Sequence, residues 1–241
     1  MGRNHKIRTL RSPTLTSSLT GVNLHSGLDP ANITLPANFT FHAVSKQDIW
    51  HPPEVPAGEE YDSPTYYVQY GPIHKFKSAQ VSICGMSGTK QYDQAGLIFL
   101  VNSPGLKGEK YDSWIKTGVE IIDTNATSKV MAVATPPGGF SDWNLVPMPK
   151  GECINILAQR QEGGPGMFIY VVEGNTKTLM RLITWPFQKN FNKWLGVGTY
   201  VARHNWAPGE PPFTGEPNSA KFEGLKIDWS DWNGTTSQYT V

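Results

Sequence analysis

The fold is decided around residues 113–122, SWIKTGVEII, at the centre of a segment that runs from Tyr92 to Trp143. Alternate residues of a β-strand face opposite sides of its sheet. In residues 113–122, one side of the predicted strand is apolar or small, with Ile115, Thr117, Val119 and Ile121. The other side carries Trp114, Lys116, Gly118 and Glu120. The pattern predicts a strand that packs one side into a core and presents charged groups on the other.

The charged side of this strand predicts contacts with other strands or with a ligand. Lys116 and Glu120 are ~13 Å apart along a strand, too far to neutralise each other directly. Gly118 lies between them and leaves a patch without a side chain. Each charged group therefore needs a partner from a neighbouring strand or from a bound molecule. A structural ion-pair network across strands is the alternative to a functional site.

The composition predicts an all-β protein. The chain has 241 residues, of which 38% are hydrophobic, and this is enough for a full core. Its 24 glycines and 19 prolines exceed average usage and indicate many turns between short strands. No window of helical length has a period of 3.6 residues. Strand candidates separated by turn residues follow one another from residue 38 to residue 229, as is typical of a two-sheet sandwich or a barrel.

The strand candidates also define the domain organisation. Residues 1–37 are predicted to be a polar N-terminal arm, residues 38–230 a single domain, and residues 231–241 a C-terminal tail. Within the domain, residues 46–64 are rich in proline and acidic residues, and they are predicted to be a long surface loop.

Charge and hydropathy limit the partners. The net charge is +1 and the pI is near 7.8, without a basic stripe, so neither nucleic acid nor a membrane is a predicted partner. The N-terminal residues lack the apolar run of a signal peptide or an anchor. These features predict a cytoplasmic protein, or a secreted one if a signal peptide has been removed.

The cysteines agree with the cytoplasmic prediction. Cys84 and Cys153 are too few for a disulfide scaffold, and both lie in apolar runs, so buried reduced thiols are predicted. Four N-glycosylation sequons matter only if the chain is secreted. They stand at Asn32, Asn38, Asn125 and Asn233.

No cofactor and no resident metal ion are predicted. The six histidines are scattered without metal-binding spacing. The glycine-rich stretches at residues 136–139 and 163–166 are not followed by helices, so they lack the amide groups that cradle phosphate. A calcium ion held by loop oxygens stays open as an alternative.

Three motifs follow one another along the chain: Tyr92-Asp93-Gln94-Ala95-Gly96-Leu97, Trp114-Ile115-Lys116-Thr117-Gly118-Val119-Glu120 and Ser141-Asp142-Trp143. With Asp48-Ile49-Trp50 and Pro52-Pro53, they resemble the family of unknown function that includes the yeast regulation-of-enolase protein, over roughly residues 38–230. The resemblance implies a concanavalin A-like jelly-roll sandwich of two antiparallel sheets with long loops. In sugar-binding relatives of that fold, the concave sheet carries the ligand groove. No settled reaction comes with the resemblance.

The charged strand and the motifs beside it supply the candidate site residues. As catalytic groups we predict Glu120, Lys116 and Arg160. As ligand-binding groups we predict Gln94, Trp114, Asp142, Trp143 and Tyr170. Exposed tryptophan rings would stack on a sugar or a planar ligand, and the alternative is that they cap the core. Arg160 and Gln94 both hydrogen-bond carboxylates well, so we expect them to meet Lys116 and Glu120 in one concave groove.

Three classes of function agree with these residues. The first is binding, with or without turnover, of a small carbohydrate-like ligand in the groove. The second is a cofactor-independent cyclase, isomerase or pericyclase acting on a small organic substrate, such as a polycyclic metabolite of fungal-type secondary metabolism. The third is a non-catalytic regulatory interaction module. A glycosidase needs two carboxylates ~5 to 9.5 Å apart, so Glu120 would require Asp93 or Asp142 from another strand.

Overall fold

The computed structural model describes residues 19–22, 37–43, 48–53, 61–62, 65–102, 113–188, 193–204 and 217–230. Within these ranges the chain forms β-strands, one 3-10 turn (Ile73–Lys75) and no α-helix, so the prediction of an all-β protein is confirmed. The described part of the chain contains no helix that is long and apolar enough to cross a membrane. The strands are β1 (Leu19–Val22), β2 (Asn38–Ala43), β3 (Ile49–Trp50), β4 (Tyr61–Asp62), β5 (Thr65–Pro72), β6 (Phe76–Met86), β7 (Asp93–Asn102), β8 (Ser113–Ile121), β9 (Ser128–Thr135), β10 (Asp142–Val146), β11 (Ile154–Arg160), β12 (Met167–Glu173), β13 (Thr176–Ile183), β14 (Trp194–Arg203) and β15 (Asn218–Trp229).

The strands form two antiparallel sheets and one short ribbon. The seven-stranded sheet has the order β1-β5-β14-β7-β8-β9-β10, and the six-stranded sheet has the order β13-β12-β11-β6-β15-β2. The ribbon pairs β3 with β4. Strands that are neighbours in space are often distant in sequence, as in β7 beside β14 and β6 beside β15. The predicted jelly-roll sandwich is confirmed.

The main core lies between the two sheets. It takes one side of β7 and β8, with Leu97, Phe99, Ile115 and Val119, and the facing side of the six-stranded sheet. Each such side chain contributes ~1.5 to 3 kcal/mol when fully buried. A slip of one residue would move all of them to the wrong side, so the apolar pattern fixes the strand register. The six-stranded sheet supplies Val81, Ile83, Ile156, Ala158, Ile169 and Phe222.

The second side of the seven-stranded sheet, called here the outer face, carries Ile98, Lys116 and Glu120. A short segment, residues 48–53, crosses it, and we call this segment the strap. Ile49 of the strap is buried in a second apolar cluster on this face. The cover explains why β7 and β8 are buried along their whole length and on both sides. The cluster contains Ile49, Val68, Ile98, Leu100, Trp114, Met131, Val133, Tyr200 and Ala202.

Two glycines keep β7 and β8 close together at the centre of the outer face. Gly96 and Gly118 are directly opposite each other across the two strands. A Cβ on Gly118 would stand 2.0 Å from the carbonyl oxygen of Ala95, and one on Gly96 would stand 1.9 Å from that of Thr117. No side chain fits at either position without parting the strands. Gly118 is therefore needed for strand pairing as well as for the gap that it leaves between Lys116 and Glu120.

A disulfide bond joins Cys84 to Cys153, so the prediction of two reduced thiols is wrong. Cys84 belongs to β6. Cys153 directly precedes β11, the strand that pairs with β6. Their Cα atoms are 4.1 Å apart, although 69 residues separate them in sequence. The apolar runs around both cysteines concealed this proximity, because they indicate burial and not which strands pair.

Candidate functional site

The structure brings three of the predicted residues together on the outer face. Gln94 of β7 lies directly opposite Glu120 of β8, and Lys116 is on the same side of β8 as Glu120. All three side chains are buried. Lys116 and Glu120 do not contact each other, and each has its own neighbours, as the ~13 Å spacing along the strand requires.

Asp48, at the start of the strap, is the centre of the polar contacts. Its Oδ1 accepts hydrogen bonds from Lys116 Nζ at 2.9 Å and from the Ile49 amide at 2.6 Å. Its Oδ2 accepts one from Gln94 Nε2 at 3.2 Å and lies 3.6 Å from His204 Nδ1. Burial raises the pKa of this carboxyl, but the charge of Lys116 and the hydrogen bonds from His204 and Lys116 outweigh it and lower the pKa below its ordinary value. Asp48 is therefore an anion at neutral pH.

The Lys116 ammonium group is held below the surface. It donates to Asp48 Oδ1 and, at 2.7 Å, to the carbonyl oxygen of Ile49. The rings of Trp50 and Trp114 also lie near it, with centroids 5.9 Å and 5.5 Å from Nζ. These contacts satisfy a buried cation and tie the strap to β8. Lys116 acts on the electrostatics of the site and is not placed to touch a ligand.

Glu120 has the opposite environment. Its pKa is raised to about 7, and burial is the largest cause of this rise. The charge of Lys116 lowers the pKa, the charge of Asp48 raises it, and a hydrogen bond from Trp143 lowers it. Among the described residues, its buried Oε2 atom makes no hydrogen bond. A carboxyl group with a pKa near 7 exists in both protonation states at neutral pH, as a group that transfers protons must.

Trp143 contacts Glu120 and belongs to a group of aromatic side chains. Trp143 is 38% exposed, and its ring makes edge-to-face contacts with Trp50 and Tyr92, both at 6.4 Å between centroids. Tyr92 in turn contacts His204 at 5.3 Å. This group of rings, the aromatic rim, consists of Trp50, Tyr92, Trp143 and His204. It presents ring surface beside Glu120, through the contact of Trp143 with this carboxyl group.

Tyr200 is buried and contacts Gln94 in the site. Its hydroxyl donates to Gln94 Oε1 at 3.2 Å. Burial raises its pKa well above the ordinary value, and the charges of Glu120 and Asp48 raise it further. The phenol therefore stays protonated and keeps Gln94 oriented toward Asp48.

Two predicted ligand-binding residues have other surroundings. Trp114 is 4% exposed and packs in the apolar cluster beneath the strap, so its ring offers no surface for stacking. Asp142 is exposed at the start of β10 and pairs with Arg181 of the six-stranded sheet. The prediction of an exposed Trp114 overlooked the strap, because a local pattern does not reveal a cover that comes from residue 49.

Arg160 and Tyr170, predicted as site residues, lie on the other sheet, so the expectation that Arg160 meets Lys116 and Glu120 is corrected. They belong to β11 and β12 of the six-stranded sheet. Arg160 donates to the carbonyl oxygen of His74 at 2.8 Å, and its guanidinium lies over the ring of Phe187 at 4.6 Å. Tyr170 packs against Phe168 at 6.0 Å. Periodicity assigns residues to a side of a strand but does not assign strands to a sheet.

Five residues of the site were not among the predicted ones: Asp48, Trp50, Tyr92, Tyr200 and His204. Asp48 and Trp50 stood out only through the family resemblance of their motif, and Tyr92 only as the first residue of another. Tyr200 and His204 follow from the pairing of β14 with β7, for which the sequence holds no local signal.

The described part of the chain contains one cluster of potential metal ligands. The cluster of Cys84, Cys153 and Glu223 brings three potential ligand atoms within 4.8 Å of one another. Both sulfur atoms belong to the disulfide, and thiolates are the form that binds a metal. The described residues therefore do not fit a transition metal there.

The fold and the site define a jelly-roll protein with a polar cluster and an aromatic rim on the outer face of one sheet. The chain belongs to the family described as "Protein of unknown function (DUF1349)", which matches residues 29–228. It is 33% identical over 181 residues to "Uncharacterized protein AN7484" of Emericella nidulans. That alignment covers 75% of this chain and 84% of the relative.

A solved structure shares the fold. The GH43 BlXynB protein from Bacillus licheniformis matches 82% of this chain with a TM-score of 0.52 and 12% identity. The chain spans about a third of that protein, 34% of its length. The catalytic domain of an endo-1,3-beta-glucanase (laminarinase) from Thermotoga petrophila RKU-1 gives a TM-score of 0.47 at 15% identity, covering 75% of each chain. At these identities, the likeness to the first structure shows a common jelly-roll fold alone.

Proposed function

We propose that the outer-face site binds a small carbohydrate-like ligand and that Glu120 exchanges protons with it. The observation that carries the proposal is the unpartnered Oε2 atom of Glu120, buried beside the half-exposed ring of Trp143. A buried polar atom without a protein partner costs free energy, ~1 to 3 kcal/mol, which favours water or a ligand as its partner.

The surroundings of Glu120 suit a sugar ring. Ligand sites combine apolar and aromatic walls with a few convergent polar groups. Trp143 and Tyr92 offer ring faces for the C–H surface of a sugar, and Glu120 offers an acceptor or a donor for a hydroxyl group. The jelly-roll fold supports the proposal only by analogy, since the same fold hosts many functions.

The carboxylates favour proton transfer over hydrolysis by two acids. A glycosidase of the usual kind needs a second carboxylate to act as nucleophile or base. Asp48 already accepts hydrogen bonds on both oxygens, and Asp142 is paired with Arg181. Of these three carboxyl groups, Glu120 keeps an oxygen without a hydrogen-bond partner, so an isomerisation or another reaction with one proton-transferring group fits the site better.

A second candidate is a cofactor-independent cyclase, isomerase or pericyclase on a small organic substrate. The edge-to-face contacts among Trp50, Tyr92 and Trp143 favour it, because such a wall also holds a polycyclic apolar molecule in one conformation. The third candidate, a regulatory interaction module, and the relationship to the yeast regulation-of-enolase protein both stay predictions.

The compartment is part of the proposal. Disulfides form and persist in oxidising environments and are rare in the cytosol. The Cys84–Cys153 bond therefore favours secretion over the cytoplasmic location that the N-terminal sequence predicts. Glycosylation at Asn125, which lies in an exposed turn, would support this directly.

A thermal-shift screen tests the proposed ligand. The native protein is mixed with neutral sugars and, separately, with polycyclic metabolites, because a ligand of the native state raises the melting temperature. We expect sugars to raise it, Trp143→Ala to abolish the shift, and Glu120→Gln to bind without turnover. Leu179→Ala, at an exposed position on the six-stranded sheet, is the control. A shift with metabolites alone favours the second candidate, and an unchanged sugar shift in Trp143→Ala contradicts the proposed site.

A further inference from the structure

A second exposed aromatic side chain stands beside the aromatic rim. Phe140 lies in the connection between β9 and β10 and is 52% exposed. Its ring makes an edge-to-face contact with His51 at 5.7 Å. His51 follows Trp50 in the strap, and Trp50 contacts Trp143. Two ring contacts and one peptide bond thus connect the exposed ring of Phe140 to the exposed ring of Trp143.

The connection that carries Phe140 is held in place by hydrogen bonds. The His51 amide donates to Ser141 Oγ at 2.8 Å, and the Ser141 amide donates back to the carbonyl oxygen of His51 at 2.8 Å. Ser141 Oγ also lies 2.9 Å from Thr135 Oγ1. The Gly139 amide closes the turn onto the carbonyl oxygen of Pro136 at 3.0 Å. The strap and this turn therefore form one hydrogen-bonded unit, which holds the backbone on both sides of Phe140 in place.

This placement calls for an explanation beyond packing. Single exposed apolar side chains are ordinary on protein surfaces, and Leu179 is one such residue here. Phe140 differs because the backbone around it is anchored. Its ring also contacts His51, the neighbour of Trp50, and Trp50 contacts Trp143 beside Glu120. Anchoring an exposed ring contributes little to the core, whereas a pre-positioned ring reduces the entropy lost on binding.

The geometry points to an oligosaccharide, and not a single sugar, as the ligand: Trp143 contacts the sugar unit next to Glu120, and Phe140 contacts a unit further along the same chain. This inference rests on the proposed function and adds the substrate class to it. Phe140 is then a residue that determines chain-length preference and takes no part in proton transfer.

The test is calorimetric titration of the full chain with glucose and with gluco-oligosaccharides of increasing length, in β-1,3 and β-1,4 linkage. For the wild-type protein we expect affinity to rise about tenfold from the monosaccharide to the trisaccharide, the gain of one favourable ring contact. Phe140→Ala should remove this rise and leave the affinity for glucose unchanged. Trp143→Ala should weaken binding of every length, and Leu179→Ala, equally exposed at 52%, should behave as wild type.

The outcomes separate the two proposals. If glucose binds as tightly as the longer chains, or if Phe140→Ala keeps the length dependence, the inference is overturned while the proposed function stands. If no sugar of any length binds, both fail. A melting curve of Phe140→Ala that matches wild type excludes unfolding as the cause of a lost length dependence.

Discussion

Replacing Glu120 with glutamine should stabilise the protein at high pH and leave its stability at low pH unchanged. The carboxyl has a pKa of about 7 in the folded protein and 4.5 as its ordinary value. Between these pH values the folded state binds more protons than the unfolded state, so the free energy of unfolding falls as pH rises through this window. At ~1.36 kcal/mol for each pH unit, the loss amounts to about 3 kcal/mol above pH 7. Glutamine cannot ionise and avoids this loss.

Urea unfolding of the wild type and of Glu120→Gln, at a series of pH values between 4 and 8, measures the difference. Contributions of other groups cancel, since both proteins contain them. The two stabilities should agree near pH 4 and diverge by about 3 kcal/mol at pH 8, roughly 6 to 12 °C in melting temperature. Glu173→Gln, an exposed glutamate on β12, should show no such divergence. Parallel curves for wild type and Glu120→Gln would refute the buried, proton-exchanging carboxyl.

Three further predictions concern the parts that support the site. Trp114→Ala should lower the free energy of unfolding by ~3 to 5 kcal/mol in urea, as is typical when a buried tryptophan is replaced by alanine. Trp143→Ala should lower it much less, and equal losses would contradict the different burial of the two rings. Asp48→Ala should destabilise by ~3 to 5 kcal/mol, because it leaves the ammonium of its partner buried and unpaired, and a loss under ~1 kcal/mol would contradict that pairing. Reduction of the Cys84–Cys153 bond should lower stability by about 4 kcal/mol for a 69-residue separation, and insensitivity to reductant would argue against the bond.

Much of the fold is predictable because its signals are local. Alternation in residues 113–122 indicates both the strand and the side on which Lys116 and Glu120 lie, since the period of two is a property of any extended chain. Gln94 could be placed beside Glu120 through its family motif. The turn-rich composition and the absence of helical periodicity are enough for the all-β class.

The strap and the sheet assignments could not be predicted in the same way. Asp48 meets Lys116 across 68 positions of sequence, and no periodic pattern records such a contact. Residues 46–64 have the composition of a surface loop, yet residues 48–50 are drawn onto the outer face by the burial of Ile49 and the charge of Lys116. Likewise Leu19–Val22, inside the predicted N-terminal arm, pairs with β5 at the edge of the seven-stranded sheet.

The site was mispredicted where strand order decides the outcome. Arg160 and Tyr170 have residue types that suit a sugar site, but β11 and β12 lie in the six-stranded sheet. Strand order arises from the loops and from the total apolar area buried, and neither is visible in a single strand. Trp114 is buried because it lies on the inner strand β8 beneath the strap, whereas Trp143 lies on β10 at the edge of the sheet and is 38% exposed.

A carbon-13 NMR titration of the Glu120 side-chain carboxyl, with and without a gluco-oligosaccharide, tests the central claim most directly. The resonance is assigned by its absence in Glu120→Gln. We predict a midpoint of about 7 in the free protein and a displaced midpoint with the sugar bound, because the ligand supplies the partner that Oε2 lacks. A midpoint near the ordinary value of 4.5 that the sugar leaves unchanged would contradict the account.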